Sequence, residues 1–204
     1  MTARRKRTSR DVVVDASVAR AAGSKGAEFP TSKYCREVLE TILHVCHHVV
    51  MGEALREEWK RNESQSSRVF LREMYGRGKV IQEHEAVPEA PRIRRTIERL
   101  CEEDEAEAIL KDFHLLEAAW ASDELILSLD EKARRLLVPL VERLPRLGRL
   151  TWVNPAQEGA GTIDWLIQGA PEEAGRYLGV GLDVRRPRRR RSRRRRGRGA
   201  RRRS

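Results

Sequence analysis

Short apolar runs alternate with longer stretches of helical period along this chain. Val12 to Val14 is β-branched and reads as a buried strand, followed at Asp15-Ala16-Ser17 by a short helical stretch. After a loop over residues 23–30, Thr31 or Ser32 can cap a helix whose apolar positions are Tyr34, Val38, Ile42 and Val45. His48 to Met51 predicts a second strand, and Gly52 leads into a helix carrying Leu55 and Trp59. Ser66 to Tyr75 predicts a further helix that Gly76 and Gly78 end. Lys79 to Ile81 fits strand or loop. Ile93, Ile97 and Leu100 mark a helix, and Asp104 can cap a long one running to about Ala121. Leu125 to Leu127 predicts a third strand, followed by a helix from Asp130 to Leu144. A fourth strand follows at Leu150 to Val153, then a helical turn or two over Asp164 to Gln168.

Strands separated by helices predict βαβ units: a three-layer α/β/α sandwich with a mainly parallel central sheet of 4–5 strands. Right-handed crossovers put the carboxyl ends of such strands on one edge, where ligands bind. Four acidic segments fall near that edge. Asp15 ends the first strand and Asp130 lies just past the third. Glu58 is in the first two turns after the second, and Asp112 is on a helix that can pass the same edge. Carboxylates converging there repel one another unless a cation joins them, which suggests divalent-metal chemistry on phosphates.

Charge divides the chain. Residues 1–10 form a basic arm, and residues 185–204 hold 14 Arg and no acid. The body between, 11–184, carries 23 basic against 31 acidic residues, so the overall +11 belongs to the arms. A tail so charged is expected to be disordered and to bind RNA phosphates without sequence preference, through Arg188, Arg189, Arg190, Arg191, Arg193, Arg194, Arg195 and Arg196. No apolar run approaches the ~20 residues of a membrane span, and no secretory h-region follows the basic start. Cys35, Cys46 and Cys101 are odd in number and dispersed, which disfavours structural zinc and fits a reducing cytoplasm. His47 and His48 alternate along a strand, so the cluster with His44 is a poor common metal site.

The acidic segments resemble those of the PIN-domain family of metal-dependent ribonucleases. Val12-Val13-Val14-Asp15-Ala16-Ser17 is similar to the family's opening strand, acid and hydroxyl residue. Glu58 follows Gly52 as the second acid follows a small residue, and Asp112 precedes the alanine-rich Leu115-Leu116-Glu117-Ala118-Ala119. Ser128-Leu129-Asp130 is similar to the fourth segment. The resemblance covers about residues 11–155, within an expected nuclease domain over 11–184. Gly52 and Ser128 replace the family's more usual residues, residues 76–101 have no counterpart in its minimal pattern, and Glu57 and Glu131 are adjacent alternatives to Glu58 and Asp130.

The resemblance implies an endoribonuclease that cleaves RNA by metal-activated water. Asp15, Glu58, Asp112 and Asp130 would be catalytic. Asp15, Asp112 and Asp130 would hold Mg2+ or Mn2+, and Ser17 and Ser128 would hydrogen-bond to carboxylates. It also implies an antitoxin protein and a second copy of the chain as candidate partners, and no membrane. The rival readings are a non-catalytic RNA-binding PIN module tethered by the tail and a DNA nuclease. Residue by residue, Asp15 and Asp130 can instead be helix caps, Glu58 and Asp112 solvated helix positions, and His114 an ordinary polar contact.

Overall fold

Val12, Val13 and Val14 are fully buried, as a central parallel strand covered on both faces requires. The computed structural model describes residues 9–82 and 85–180. Five strands, β1 (Asp11–Val14), β2 (His48–Val50), β3 (Val80–Ile81), β4 (Leu125–Leu127) and β5 (Thr151–Val153), form one parallel sheet in the order β3-β2-β1-β4-β5. Val13 is in register with Val50 on one side and Ile126 on the other. Lys79–Ile81 is thus settled as an edge strand over Val80–Ile81.

Helices cover both faces, giving the expected three-layer α/β/α sandwich. Between β1 and β2 lie α1 (Ala16–Ala21) and α2 (Pro30–Val45), and between β2 and β3 lie α3 (Glu53–Asn62) and α4 (Gln65–Gly76). The β3–β4 crossover carries α5 (Ala90–Leu100), α6 (Glu103–Lys111) and α7 (Phe113–Trp120), and α8 (Glu131–Leu137) follows β4. After β5, α9 (Pro155–Glu158) and α10 (Ala160–Ile167) pack on α2. The chain builds outward from β1 to β3, then returns to the far side of β1 with β4. Strand order therefore reverses between β1 and β4, the crevice where open α/β sheets place ligands.

Several boundaries differ from the sequence expectation. The long helix predicted from Asp104 to Ala121 is two helices, because Asp112 leaves helical geometry at φ −104° and ψ 17°. α7 buries six of its eight residues, whereas α6 opens on Glu103, Asp104 and Glu105 in water, so the two present different faces to the core. Glu102 caps α6, and Asp104 lies in its first turn. α2 begins at Pro30 rather than after a Thr31 or Ser32 cap, since proline's fixed φ suits a first helical position. The helix predicted to reach Leu144 stops at Leu137 and tightens into a 3-10 helix over Val138–Glu142, where Pro139 lacks the donor an α-turn needs. α10 starts four residues before the predicted Asp164.

Ser9 and Arg10, assigned to the basic arm, pack on the body. Ser9 Oγ donates to Cys46 O at 2.7 Å, and Arg10 lies 3.3 Å from Asp123. Asp123 Oδ2 also accepts from Asp11 N at 2.8 Å, so it anchors the start of β1. The tail over 185–204, with Arg188 to Arg191 and Arg193 to Arg196, and the first eight residues lie outside the described residues. Among the described residues, no helix is long and apolar enough to cross a membrane.

Candidate functional site

Asp15 follows the last residue of β1 and caps α1, its Oδ1 accepting from Ser17 N at 3.2 Å. Its Oδ2 accepts two hydroxyls, from Ser17 Oγ at 2.6 Å and Ser128 Oγ at 2.5 Å. Each serine oxygen also accepts from the loop after β4: Leu129 N donates to Ser17 Oγ at 3.1 Å, and Asp130 N to Ser128 Oγ at 3.0 Å. This network ties the ends of two neighbouring strands to one carboxylate that is only 7% exposed. Three hydrogen bonds, from Ser17 N, Ser17 Oγ and Ser128 Oγ, thus fix the Asp15 carboxyl in place.

The other three acids arrive on separate elements. Asp130 caps α8, with Oδ1 accepting from Ala133 N at 2.8 Å. Asp112 occupies the break between α6 and α7, with Lys111 Nζ 3.5 Å from its Oδ2. Glu58 rides on α3, which is held to the end of β1 by Trp59 Nε1 donating to Val14 O at 2.9 Å. Asp15, Glu58, Asp112 and Asp130 line one pocket of about 170 Å3, joined by Ser17, Arg20, Asn62 and Lys111. Asp15 and Asp130 are caps as well as pocket residues.

The adjacent alternatives point elsewhere. Glu57 is exposed and pairs with Lys60 at 2.6 Å. Glu131 accepts from Asn154 Nδ2 at 3.0 Å and lies 3.7 Å from Arg134.

Electrostatics in the pocket are strained. The Asp112 carboxyl is pushed up to about 6, first by burial and then by the charges of Asp15, Glu58 and Asp130, with Lys111 opposing. Glu58 is held below the usual carboxylate range, chiefly by the His114 imidazole, whose Nε2 is 3.2 Å from Glu58 Oε2. That contact has ion-pair distance without hydrogen-bond alignment, and both buried atoms lack a hydrogen-bond partner. His114 is thus a pocket-side contact of Glu58.

Among the described residues, no three His, Cys, Asp or Glu side chains already stand as a metal-holding group. The pocket's chemistry nevertheless fits a hard divalent cation. Its acidic groups offer only carboxylate oxygens, and Asp112 is crowded by like charge. Asp15, Asp112 and Asp130 are the residues that could hold such an ion.

The histidine cluster is dispersed. His47 is buried, its Nδ1 accepting from Arg10 N at 2.9 Å while Nε2 lies 3.1 Å from Leu166 O. His48 contacts Asp11 at 3.0 Å, and His44 Nδ1 lies 2.6 Å from Glu40 O. Cys35, Cys46 and Cys101 are free.

Sequence reasoning passed over Arg20, Asn62 and Lys111 as pocket residues. Arg20 is three residues from Ser17 and Asn62 four from Glu58, so helix periodicity places each beside a pocket residue. Asn154, a polar residue ending an apolar strand as Asp15 does, was also readable; its Oδ1 caps α9 from Ala156 N at 3.0 Å. No known family matches the chain, and no curated protein or solved structure matches it either.

Proposed function

We propose that this chain is a divalent-metal-dependent endoribonuclease of PIN type, hydrolysing RNA phosphodiesters in the cytoplasm with Mg2+ or Mn2+. One observation carries the reading: four carboxylates from four separate elements line one small pocket at the point where strand order reverses, and three of them raise the pKa of the fourth. A divalent cation bound among these acids would offset their mutual repulsion.

A bound Mg2+ or Mn2+ supplies positive charge to the phosphate oxygens and acidifies a coordinated water. Asp15, Asp112 and Asp130 would hold it. Ser17 and Ser128 keep Asp15 from turning away, so its orientation is set before substrate arrives. Glu58, on α3, would orient the attacking water. Lys111, Arg20 and Asn62 offer donors to the phosphodiester at the rim. The Arg-rich tail would hold RNA near an otherwise acidic body. An antitoxin protein and a second copy of the chain are the partners this reading implies.

A second reading, an RNA-binding module without catalysis, is favoured by one observation: Glu58 and Asp112 already have side-chain neighbours in His114 and Lys111. Incubation of single-stranded RNA and single-stranded DNA with the full chain and Mn2+ separates the two. Metal-dependent RNA cleavage that is abolished in the Asp15→Ala/Asp112→Ala variant supports the nuclease. Cleavage that persists in the variant contradicts the assigned site, and binding without cleavage by wild type supports the second reading. Cleavage of DNA alone would make the substrate DNA.

A further inference from the structure

A second groove lies elsewhere and has the opposite charge. It is about 890 Å3 in volume, more than the acidic pocket, and shares no residue with it. One wall is α5, which presents Arg92, Arg95 and Arg99 at successive turns. The other is residues 143–146, which add Arg143 and Arg146 and lead toward the amino end of β5.

Glu89 is the one acid among its lining residues, against five arginines. Arg146 pairs with Glu89 at 2.6 Å and sits over the Trp120 ring. Arg94, on another side of α5, is matched by Glu117 at 3.0 Å and stacks on Phe113. Among the described residues, no ion pair is formed by Arg92, Arg95, Arg99 or Arg143. Like charges one turn apart cost a helix a few tenths of a kcal/mol; Glu89 and Glu98 at the same spacing offset this in part, and the stripe keeps an excess of positive charge. Beside the arginines and Thr96 the lining includes the aliphatic Ile93, Leu100, Leu144 and Pro145, and Leu100 is 43% exposed at the end of a helix whose isoleucines are buried.

We infer that this groove docks an acidic amphipathic helix of a partner protein. Its aliphatic side chains would cover Leu100, Leu144 and Pro145 while its carboxylates met the arginines. An amphipathic helix laid in a groove is read through such anchors one turn apart, and arginine forks suit carboxylates. Nucleic acid matches less of the lining. Phosphates would meet the arginines but leave the aliphatic strip unused, and no aromatic side chain lines the groove for bases to stack on. The inference does not depend on the nuclease reading, since no groove residue belongs to the acidic pocket.

The test uses the full chain and a labelled synthetic helix of about 15 residues with Leu at helical spacing and Glu between, a length that spans roughly 22 Å at 1.5 Å per residue. A matched helix with Gln for every Glu and a uridine oligonucleotide are the controls. Methyl NMR of Ile93, Leu100 and Leu144 reports on the groove itself, so peptide held only by the Arg-rich tail is distinguished. Expected are shifts of these methyls with the Glu/Leu helix and not with the Gln helix, and at least tenfold weaker binding in the Arg95→Glu/Arg99→Glu variant. That variant alters exposed residues and is checked for an unchanged melting temperature. A Leu100→Ser variant gives the same expectation without altering charge. Unmoved groove methyls, or binding unchanged in both variants, would overturn the inference. So would groove shifts produced only by the oligonucleotide, which would make the surface a nucleic-acid site.

Discussion

Ser128 Oγ donates to Asp15 Oδ2 at 2.5 Å, joining the ends of β4 and β1 at the crevice where strand order reverses. Ser128 is fully buried, and the same oxygen accepts from Asp130 N. One hydroxyl therefore sets the positions of two of the four acids.

Ser128→Ala removes the donor to Asp15 and the acceptor for Asp130 N together. Loss of about 1–3 kcal/mol of stability is expected, the usual penalty for leaving buried polar groups unpaired. Mn2+ affinity should fall roughly 10–100-fold, as when a group that orients a ligand is lost. Denaturant unfolding and calorimetric titration of the same sample check the two effects.

Asp112→Asn should stabilise the metal-free protein at neutral pH while abolishing cleavage. The Asp112 carboxyl is raised from 3.8 to about 6 in the folded state, so the folded chain holds its proton more tightly than the unfolded one. Stability contributed by this group therefore falls as pH rises from about 4 to 6 and stays lower above that. At ~1.4 kcal/mol per pKa unit, and allowing for partial solvent access, the penalty at neutral pH is roughly 1–3 kcal/mol. The variant lacks it, and the difference should vanish below about pH 4. Urea unfolding across this pH range measures the gap.

His47 produces the opposite slope. Burial lowers its pKa from 6.5, and Arg10 N donates to Nδ1, which requires that nitrogen unprotonated. The unfolded chain takes up the proton first, so stability is full above about pH 6.5 and declines as pH falls below it. His47→Gln should flatten that part of the stability curve, read by thermal melts at pH values either side of 6.5.

Trp59→Phe keeps an aromatic ring but deletes the Nε1 donor to Val14 O, which anchors the helix carrying Glu58, and leaves part of the buried indole's space unfilled. The expected loss is about 2–4 kcal/mol, with cleavage reduced more than RNA binding because Glu58 loses its placement. Equilibrium unfolding paired with separate cleavage and binding assays checks this.

Much of the fold could be read from the chain. β1 and β4 are unbroken apolar runs followed at once by polar residues, and β4 matches its predicted limits. The neighbours of each strand could not be read, because pairing order depends on which crossover returns past β1. That order brings Ser128 to Asp15 across 113 positions of sequence. Periodicity also carried a single helix across Asp112, since both halves are good helix formers. Only tertiary burial of Phe113 and the residues after it reveals the break. The contact between Glu58 and His114 was hidden for the same reason, being made between two helices on different crossovers.

The central claim is that Asp15, Asp112 and Asp130 share one divalent cation. Direct titration of the full chain with Mn2+, read by the loss of the free-ion paramagnetic resonance signal at about pH 8, tests it most closely. The account predicts one saturable site in wild type, weakened at least tenfold by Asp15→Asn, Asp112→Asn and Asp130→Asn singly, and weakening about tenfold per pH unit below the Asp112 value of about 6. Wild-type protein that leaves the signal undiminished at millimolar Mn2+, or three variants that bind as tightly as wild type, would contradict it.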